Sequence, residues 1–435
     1  MKKLNKLFAI LVAMAMVLSL TAVSAFAIQS GGTKDDPAKA TMTKTLNAAE
    51  GISNPNTAFT FSFVQTKNSE KYVQTPVTAK ENTQTVVNAG NFNRVITPNN
   101  DKEAKYTGAF ADVLKDISFP APGIYNFTVA ETVPTAAELN EGAVEGVTYT
   151  VSGNVVTKVT VDGTIKTTEV TTYALEQYEV TVGVATDDGE TYVESINVQK
   201  TVDEKGDPIK NPTKITDDGE PNEDGENGFN FQNKYTKKVE NTNPQGTGEG
   251  EQPDVKDGKT LFISKAITVP QGENPDNNKA FQFTATVTFP TDATSYTYKI
   301  VGAADSYTES DPVTITDTKA DKTETFTFEL KNGERLVFTD IAIGATYKVE
   351  ESSYPGYTPA YDTANIGQDK TITTDAATIL DSASNYTKVT NTYEKDKDPG
   401  TGLSIANLPF IVLALVAVGG LVAYVVVRRK SEDNA

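Results

Sequence analysis

Lysine, glutamate and asparagine recur in the same order in two parts of this 435-residue chain. Each lies in a short segment in which apolar and polar residues alternate. Alternate residues of a strand point to the same face, so each of these polar residues shares a face with apolar neighbours. The pattern therefore predicts one lysine, one glutamate and one asparagine in each of two cores. The two sets are Lys44, Glu131 and Asn233, and Lys265, Glu351 and Asn391.

Such a set can react with itself. Burial lowers the pKa of a lysine and raises that of a glutamate, because both charged forms lose solvation. A neutral amine is a nucleophile, and a protonated carboxyl can polarise the asparagine carbonyl and pass a proton to the leaving amine. The predicted product is an isopeptide bond from Lys44 to Asn233 and from Lys265 to Asn391, each formed once with release of ammonia.

The alternative for each residue alone is ordinary. A strand lysine or glutamate usually faces solvent, and an asparagine at a strand end often begins a turn. Glu350 competes with Glu351 for the carboxyl role, but it is one residue out of phase and is predicted to face solvent. The coincidence of three in-phase polar residues in two places favours the reactive interpretation.

The elements that position these residues are predicted to be strands. Short alternating runs bounded by Gly, Pro, Asn or Asp are typical of strands, and helical periodicity is nearly absent between the two termini. One short helix is predicted near 135–140. The expected fold class is all-β, with two tandem immunoglobulin-like β-sandwich domains. The clearest predicted strands are AFTFSFV, IYNFTVAE, YEVTVGV, AFQFTATVTF, TFTFEL and TYKVEE.

A polar segment rich in Gly and Pro, at 238–257, is predicted to be a linker between a first domain at 39–237 and a second at 258–395. The two domains follow one plan. In each, a lysine strand precedes an Ala-Phe-x-Phe strand, an aromatic-x-Val-x-Glu strand and a final Asn-x-Tyr strand.

In these motifs the chain resembles the Gram-positive pilin family whose domains carry self-generated Lys–Asn isopeptide bonds. The second domain also resembles the immunoglobulin-like repeats of wall-anchored adhesins, in Tyr347-x-Val-x-Glu351 and Pro355-Gly-Tyr357. The resemblance implies that Glu131 and Glu351 are the catalytic carboxyls of the two bonds.

The C-terminal segment 398–435 resembles a cell-wall sorting signal. An uncharged run at 403–427 is long enough to cross a bilayer, and the basic tail at 428–435 would stay on the cytoplasmic side. The resemblance implies that a sortase cleaves after Thr401 and passes its acyl group to an amine of peptidoglycan or of a neighbouring pilin subunit. The alternative is an ordinary single-pass anchor. The motif is Asp398, Pro399, Gly400, Thr401 and Gly402, with Asp398 where the family usually has Leu.

The N-terminal segment 1–27 is predicted to be a secretory signal peptide. Lys2, Lys3 and Lys6 precede an apolar run that forms the expected signal helix, and Ala25-Phe26-Ala27 supplies the small-x-small cleavage pattern. Both ends of the chain therefore predict an extracellular location in the cell wall of a Gram-positive bacterium. A membrane-inserted precursor would contact the membrane only transiently, before sorting.

The composition excludes several classes of function. The chain has no cysteine and no histidine, which rules out disulfides, Cys or His nucleophiles and His-ligated metals. A net charge of −19 argues against nucleic acid and anionic lipid as partners. No cofactor, metal or enzymatic turnover is predicted. A weak calcium-loop alternative at 220–225 has Phe231 where the final acidic ligand should stand.

Two functions remain open at the level of sequence. The first is a structural pilin or stalk subunit, and the second is a monomeric wall-anchored adhesin for a host or neighbouring-cell ligand. Polymerisation needs an acceptor lysine. Lys210, within Pro208-Ile-Lys-Asn211, is the candidate, although a solvated loop lysine is the more ordinary interpretation. Detergent-resistant ladders would separate a polymer from a monomer.

Overall fold

A computed structural model of the chain describes residues 29–67, 69–80, 86–88, 90–102, 105–212, 229–244, 259–271, 274–290, 293–302 and 309–394. The predicted signal peptide, the sorting motif at 398–402, the apolar run at 403–427 and the basic tail all lie outside these residues. The described chain is all-β, as predicted, with one short helix. Within it, no helix combines the length and apolar character needed to cross a membrane.

The first part of the chain contains sixteen strands and helix α1. They are β1 (Gln29–Ser30), β2 (Met42–Ala48), β3 (Phe59–Gln65), β4 (Thr78–Ala79), β5 (Val86–Asn88), β6 (Asn91–Ile96), β7 (Asn100–Lys102), β8 (Lys105–Phe110), β9 (Ile117–Ser118), β10 (Gly123–Thr132), α1 (Ala136–Glu141), β11 (Val147–Ser152), β12 (Val155–Asp162), β13 (Ile165–Thr172), β14 (Gln177–Asp187), β15 (Glu190–Val202) and β16 (Asn230–Asn241).

The second part contains ten strands. They are β17 (Phe262–Thr268), β18 (Phe281–Thr288), β19 (Ser295–Val301), β20 (Val313–Thr316), β21 (Thr323–Leu330), β22 (Arg335–Ala342), β23 (Thr346–Glu351), β24 (Tyr357–Thr363), β25 (Ala377–Thr378) and β26 (Tyr386–Tyr393).

Hydrophobic alternation explains these strands. Along β3 the aromatic residues Phe59, Phe61 and Phe63 are buried and the residues between them are less so. Strand β18 repeats the pattern with Phe281 and Phe283. Aromatic residues favour a pleated, half-buried surface, so each strand places one face in the core. Helix α1 begins after Thr135, whose side chain completes a capping box with Glu138.

The first domain has two layers. One is a seven-stranded sheet in the order β1-β15-β14-β10-β3-β6-β5. The facing layer contains β11, β12, β13, β16, β2, β8 and β7. Aromatic rings fill the space between the layers: Phe61 of β3 lies 4.8 Å from Phe231 of β16, measured between ring centroids.

The second domain repeats the two-layer plan with fewer strands. A four-stranded sheet, β21-β18-β23-β25, faces a layer that contains β24, β26, β17, β22, β19 and β20. The ring of Phe281 on β18 lies 5.0 Å from that of Tyr357 on β24. In both domains the strand carrying the predicted lysine and the strand carrying the predicted asparagine are adjacent and parallel.

The two domains share one sheet. The C-terminal half of β16 pairs antiparallel with β22, where Val239 faces Ile341, and this joins the two lysine-bearing layers into thirteen strands. Beside this junction, Asp381 of the second domain accepts hydrogen bonds from the Ser53 hydroxyl at 2.5 Å and the Lys237 ammonium at 2.9 Å. Strand β16 runs to Asn241, so residues 238–241, which were predicted to begin the linker, are paired strand instead.

Candidate functional sites in the two cores

Three strands position the predicted site of the first domain. Strands β2 and β16 pair in parallel, with Lys44 opposite Phe231 and Asn233 two residues further along. Glu131 comes from β10 in the facing sheet and reaches across the core. All three residues are buried, and the side chains of Lys44 and Glu131 have no exposed area.

The structure brings the three side chains into contact. The Lys44 ammonium nitrogen lies 2.8 Å from Glu131 Oε1 and 2.9 Å from Oε2. The Asn233 amide nitrogen donates to Glu131 Oε1 at 3.0 Å. The carboxyl group therefore bridges the amine and the amide, contacting the side-chain nitrogen of the asparagine rather than its carbonyl oxygen.

A main-chain group completes this cluster. The segment 173–176 joins β13 to β14, and the Ala174 N–H in it donates to Asn233 Oδ1 at 2.7 Å and to Glu131 Oε2 at 3.1 Å. Only an oxygen can accept from this N–H, so the donor fixes which end of the Asn233 amide faces Glu131. The sequence carries no signal for this contact, because it comes from the backbone of an irregular segment.

The second domain places its three residues in the same way. Lys265 on β17 lies opposite Val389 on β26, and Asn391 is again two residues further along. Glu351, from β23 in the facing sheet, accepts from Lys265 Nζ at 2.6 Å and from Asn391 Nδ2 at 2.7 Å. All three are buried.

The two clusters differ in the hydrogen bonding of the asparagine carbonyl oxygen. Within the described chain, Asn391 Oδ1 is buried and accepts no hydrogen bond, whereas Asn233 Oδ1 accepts one from Ala174. A buried carbonyl oxygen without a donor is costly, so this atom marks a real difference between the two sites.

Aromatic rings enclose both amines. Lys44 Nζ lies 4.7 Å from the ring centroid of Phe59, and Lys265 Nζ lies 4.4 Å from that of Phe281. Both rings belong to the Ala-Phe-x-Phe segments that the sequence marks as equivalent, so the spacing could have identified them as site residues. They exclude water from the amines, although a ring face also attracts a cation.

Burial controls the ionisation of these groups. It lowers the pKa of Lys44 from 10.5 to about 8, although Glu131 opposes the shift. It likewise lowers the pKa of Lys265 from 10.5 to about 8 against the opposing hydrogen bond and charge of Glu351. The pKa of Glu131 is raised by burial, against Lys44 and the two amide donors. These directions favour a neutral amine beside a protonated carboxyl in the first domain.

The two neighbouring glutamates lie on opposite faces of β23, and the catalytic role of Glu351 stays a prediction. Glu350 is exposed, whereas Glu351 is buried and its backbone N–H donates to the hydroxyl of Tyr361 at 2.9 Å. Tyr361 lies on β24 opposite Val389, two residues before Asn391 on β26, and the sequence did not identify it as part of the site.

The remaining predicted residues are not part of either cluster. Lys210 lies exposed in the segment that follows β15, and its role as acceptor stays a prediction. The sorting-motif residues 398–402 lie outside the described part of the chain. Among the described residues, no group of three or more Asp and Glu side chains could hold a metal ion.

Comparison with known proteins gives partial matches. A family model described as a domain of unknown function (DUF7601) matches residues 259–393. A pilin of Streptococcus pyogenes serotype M1 is 26% identical over 172 residues, which cover 39% of this chain and 48% of that protein. The chain thus spans about half the length of the curated relative it matches.

Two solved structures are similar at greater distance. The major pilin from Streptococcus pyogenes aligns with a TM-score of 0.26 and 19% identity, covering 82% of this chain and 98% of that one. The T-13 major pilin of the same species aligns with a TM-score of 0.26 and 16% identity, covering 84% and 100%. The site geometry above is independent of these alignments. The chain is thus similar to a streptococcal pilin over part of its length, and its second domain matches a family without an assigned function.

Proposed function

We propose that this chain is a wall-anchored structural subunit of a Gram-positive surface, a pilin or stalk, whose two domains each form one Lys–Asn isopeptide bond. The single observation that carries the proposal is the buried Lys–Glu–Asn cluster, which occurs with the same strand placement in both domains. The similarity to a pilin over 172 residues supports it.

The chemistry follows from the contacts in the first domain. Proton transfer from Lys44 to Glu131 gives a neutral amine and a protonated carboxyl, the state that burial favours. Lys44 Nζ then attacks Cγ of Asn233, and the carbonyl electron pair moves to Oδ1. Glu131 gives its proton to Nδ2 and takes one from the new ammonium. The Cγ–Nδ2 bond breaks, the electron pair on Oδ1 re-forms the carbonyl and ammonia leaves, with Glu131 still protonated. Transfer of that proton to ammonia, which departs as ammonium, returns Glu131 to the carboxylate.

The geometry of the second domain supports the same reaction. Glu351 contacts both Lys265 Nζ and Asn391 Nδ2, which are the amine that attacks and the amide nitrogen that leaves. The reaction occurs once per domain and consumes its own reactants. The chain is therefore proposed to modify itself and not to be an enzyme that acts on a substrate.

The proposed bonds would replace the disulfides that this chain cannot form. The two cross-links would close loops of roughly 190 and 125 residues. Each would remove unfolded-state entropy worth about 5 kcal/mol. The bonds join strands that lie near the two ends of each domain, so tension would pass through them and not through the strands between. An amide cannot be reduced, which suits a fibre exposed to changing redox conditions.

Attachment to the surface is proposed from the two chain ends. A sortase would join Thr401 to peptidoglycan or to an amine of a neighbouring subunit. Lys210 is exposed, which an acceptor requires, but exposure alone does not distinguish it from other surface lysines.

The attachment is tested on the native cell wall. Enzymatic release of wall proteins, boiling in detergent and detection of this chain should give a ladder of covalent multimers, which Thr401→Ala abolishes. A single wall-released species would favour the monomeric adhesin and contradict the pilin. If Lys210 is the acceptor, Lys210→Arg abolishes the ladder while Lys205→Arg, also exposed in the same segment, preserves it.

A further inference from the structure

The peptide unit between Tyr173 and Ala174 is fixed at both of its ends. The Tyr173 carbonyl accepts from the Asn154 side-chain amide at 2.7 Å, and the Tyr173 N–H donates to the Asn154 carbonyl at 2.8 Å. On the other side of the unit, the Ala174 N–H points at Asn233 Oδ1 from 2.7 Å. Asn154, at the turn between β11 and β12, therefore holds a main-chain donor in one orientation inside the first core.

That donor meets the atom on which negative charge develops during the proposed reaction. Attack on Cγ of Asn233 moves an electron pair to Oδ1, and a preorganised N–H at hydrogen-bond distance stabilises such an oxyanion without reorganisation. Glu131 contacts the opposite end of the same amide, at Nδ2. Stabilisation of the oxyanion and protonation of the leaving group are thereby assigned to two different groups.

In the part of the chain that the structure describes, the second domain has no separate donor for the oxygen of its asparagine. Asn391 Oδ1 is buried without a hydrogen-bond donor, although Glu351 holds Asn391 Nδ2 as Glu131 holds that of Asn233. The two clusters are otherwise alike in burial, in the contacts of the carboxyl with the amine and the side-chain amide, and in the aromatic ring over the amine. Among the described residues, the chain thus contains one cluster with a main-chain N–H donor to the asparagine oxygen and one cluster without such a donor.

We propose that the main-chain N–H of Ala174 is the oxyanion donor for the Lys44–Asn233 bond, and that Asn154 is its positioning residue. This inference rests on the proposed isopeptide function and adds a group that the lysine, glutamate and asparagine do not supply. It makes the first-domain reaction sensitive to the 173–176 segment, whereas no described residue of the second domain supplies an equivalent donor.

The direct test replaces the N–H with an oxygen. Full-length chain is made by cell-free translation with detergent, with the α-hydroxy analogue of alanine at position 174. A matched chain carries the same ester at Ala38, which is buried in the same domain and donates its N–H to Val193. Timed samples are digested, and the two cross-linked peptides are quantified by mass spectrometry. The Lys265–Asn391 product serves as the internal reference.

The ester at 174 is expected to slow formation of the Lys44–Asn233 bond about 100-fold, the loss typical of one oxyanion donor, while the ester at 38 leaves it unchanged. Equal rates for the two esters would overturn this inference and leave the proposed function intact. Absence of both cross-linked peptides from the unaltered chain would instead contradict the proposed function itself.

A second pair of variants covers the case in which the 174 ester impairs folding. Asn154→Asp removes the side-chain donor that holds the Tyr173 carbonyl but keeps the shape of the residue. Asn140→Asp is the control, because the Asn140 side chain likewise bonds the backbone of Tyr149, away from the cluster. Asn154→Asp should slow the first bond roughly tenfold through misplacement of the donor, with the second bond unaffected. If Asn154→Asp and Asn140→Asp give the same first-bond rate, the positioning role is wrong.

Discussion

Asn233 lies two residues beyond the position that faces Lys44 across the parallel strands β2 and β16. Asn391 bears the same relation to Lys265 across β17 and β26. Residues two apart share a strand face, and diagonal neighbours across a strand pair, about 7–8 Å apart, are within reach of a long side chain. The two-residue offset therefore suits the length of a lysine side chain. Because both domains show it, the offset is stronger evidence that they share one plan than either sequence motif alone.

Removal of the second carboxyl should lower the stability of the second domain. In Glu351→Ala the bond cannot form and the loop constraint of about 5 kcal/mol is lost, so the melting temperature of that domain should fall by roughly 15 °C. Differential scanning calorimetry measures this change. Glu350→Ala is the matched control, since Glu350 is the exposed neighbour and its loss should leave the melting temperature as it was. Equal melting curves for the two variants would contradict the assignment of Glu351.

Bond formation should depend on pH with a maximum. The reactive state holds one proton on the Lys44–Glu131 pair. Above the Lys44 pKa of about 8 the pair loses this proton, so the carboxyl can no longer protonate the leaving nitrogen. Below the raised pKa of Glu131 the pair gains a second proton, which leaves the lysine charged and unreactive.

This profile can be measured on chain purified unfolded from inclusion bodies and refolded into buffers between about pH 5 and pH 10. The rate of Lys44–Asn233 cross-linking, normalised to the folded fraction, should fall on both sides of the maximum. A rate that continues to rise above the lysine pKa would show that the carboxyl has no role as a proton donor.

The bonds should limit how far the protein extends under force. When the first domain is pulled from its two ends in a single-molecule experiment, the residues between Lys44 and Asn233 should stay hidden behind the cross-link. Glu131→Ala should release them, adding roughly 650 Å of contour length for about 190 residues at full extension. The same added length in the unaltered chain would contradict a bond at this site.

The junction between the domains should depend on Asp381. Burial alone would raise the pKa of Asp381, but hydrogen bonds from Ser53 and Lys237 outweigh burial and lower the pKa. A carboxyl whose folded pKa lies below its unfolded value of 3.8 stabilises the junction above that pH and loses this effect as the pH falls through the folded pKa.

Asp381→Ala should therefore widen the distribution of interdomain angles, because it leaves Lys237 and Ser53 without their partner at a cost of about 1–3 kcal/mol. Small-angle X-ray scattering of residues 28–395 measures this distribution. Asp311→Ala, at an exposed position of the same domain, should match the parent scattering curve. Identical curves for all three chains would show that the paired strands β16 and β22 suffice without Asp381.

The alternation of residues along each strand made the burial of the three candidate residues of each domain predictable from the sequence. A polar residue in register with buried aromatic and aliphatic residues must enter the core, as Lys44 and Glu351 do. The contact of the Ala174 N–H with Asn233 could not be predicted. Every residue except proline has a backbone N–H, and its direction depends on the path of the folded chain. The extension of β16 to Asn241 was missed because its polar sequence lacks hydrophobic alternation, and pairing with β13 and β22 holds it instead.

The most direct test of the central claim is the intact mass of residues 28–395, purified after folding. Two isopeptide bonds predict a mass below that of the sequence by two molecules of ammonia, and a digest should contain one peptide linking Lys44 to Asn233 and another linking Lys265 to Asn391. Glu131→Ala and Glu351→Ala should each restore one ammonia. A folded chain with the full mass of its sequence would contradict the account.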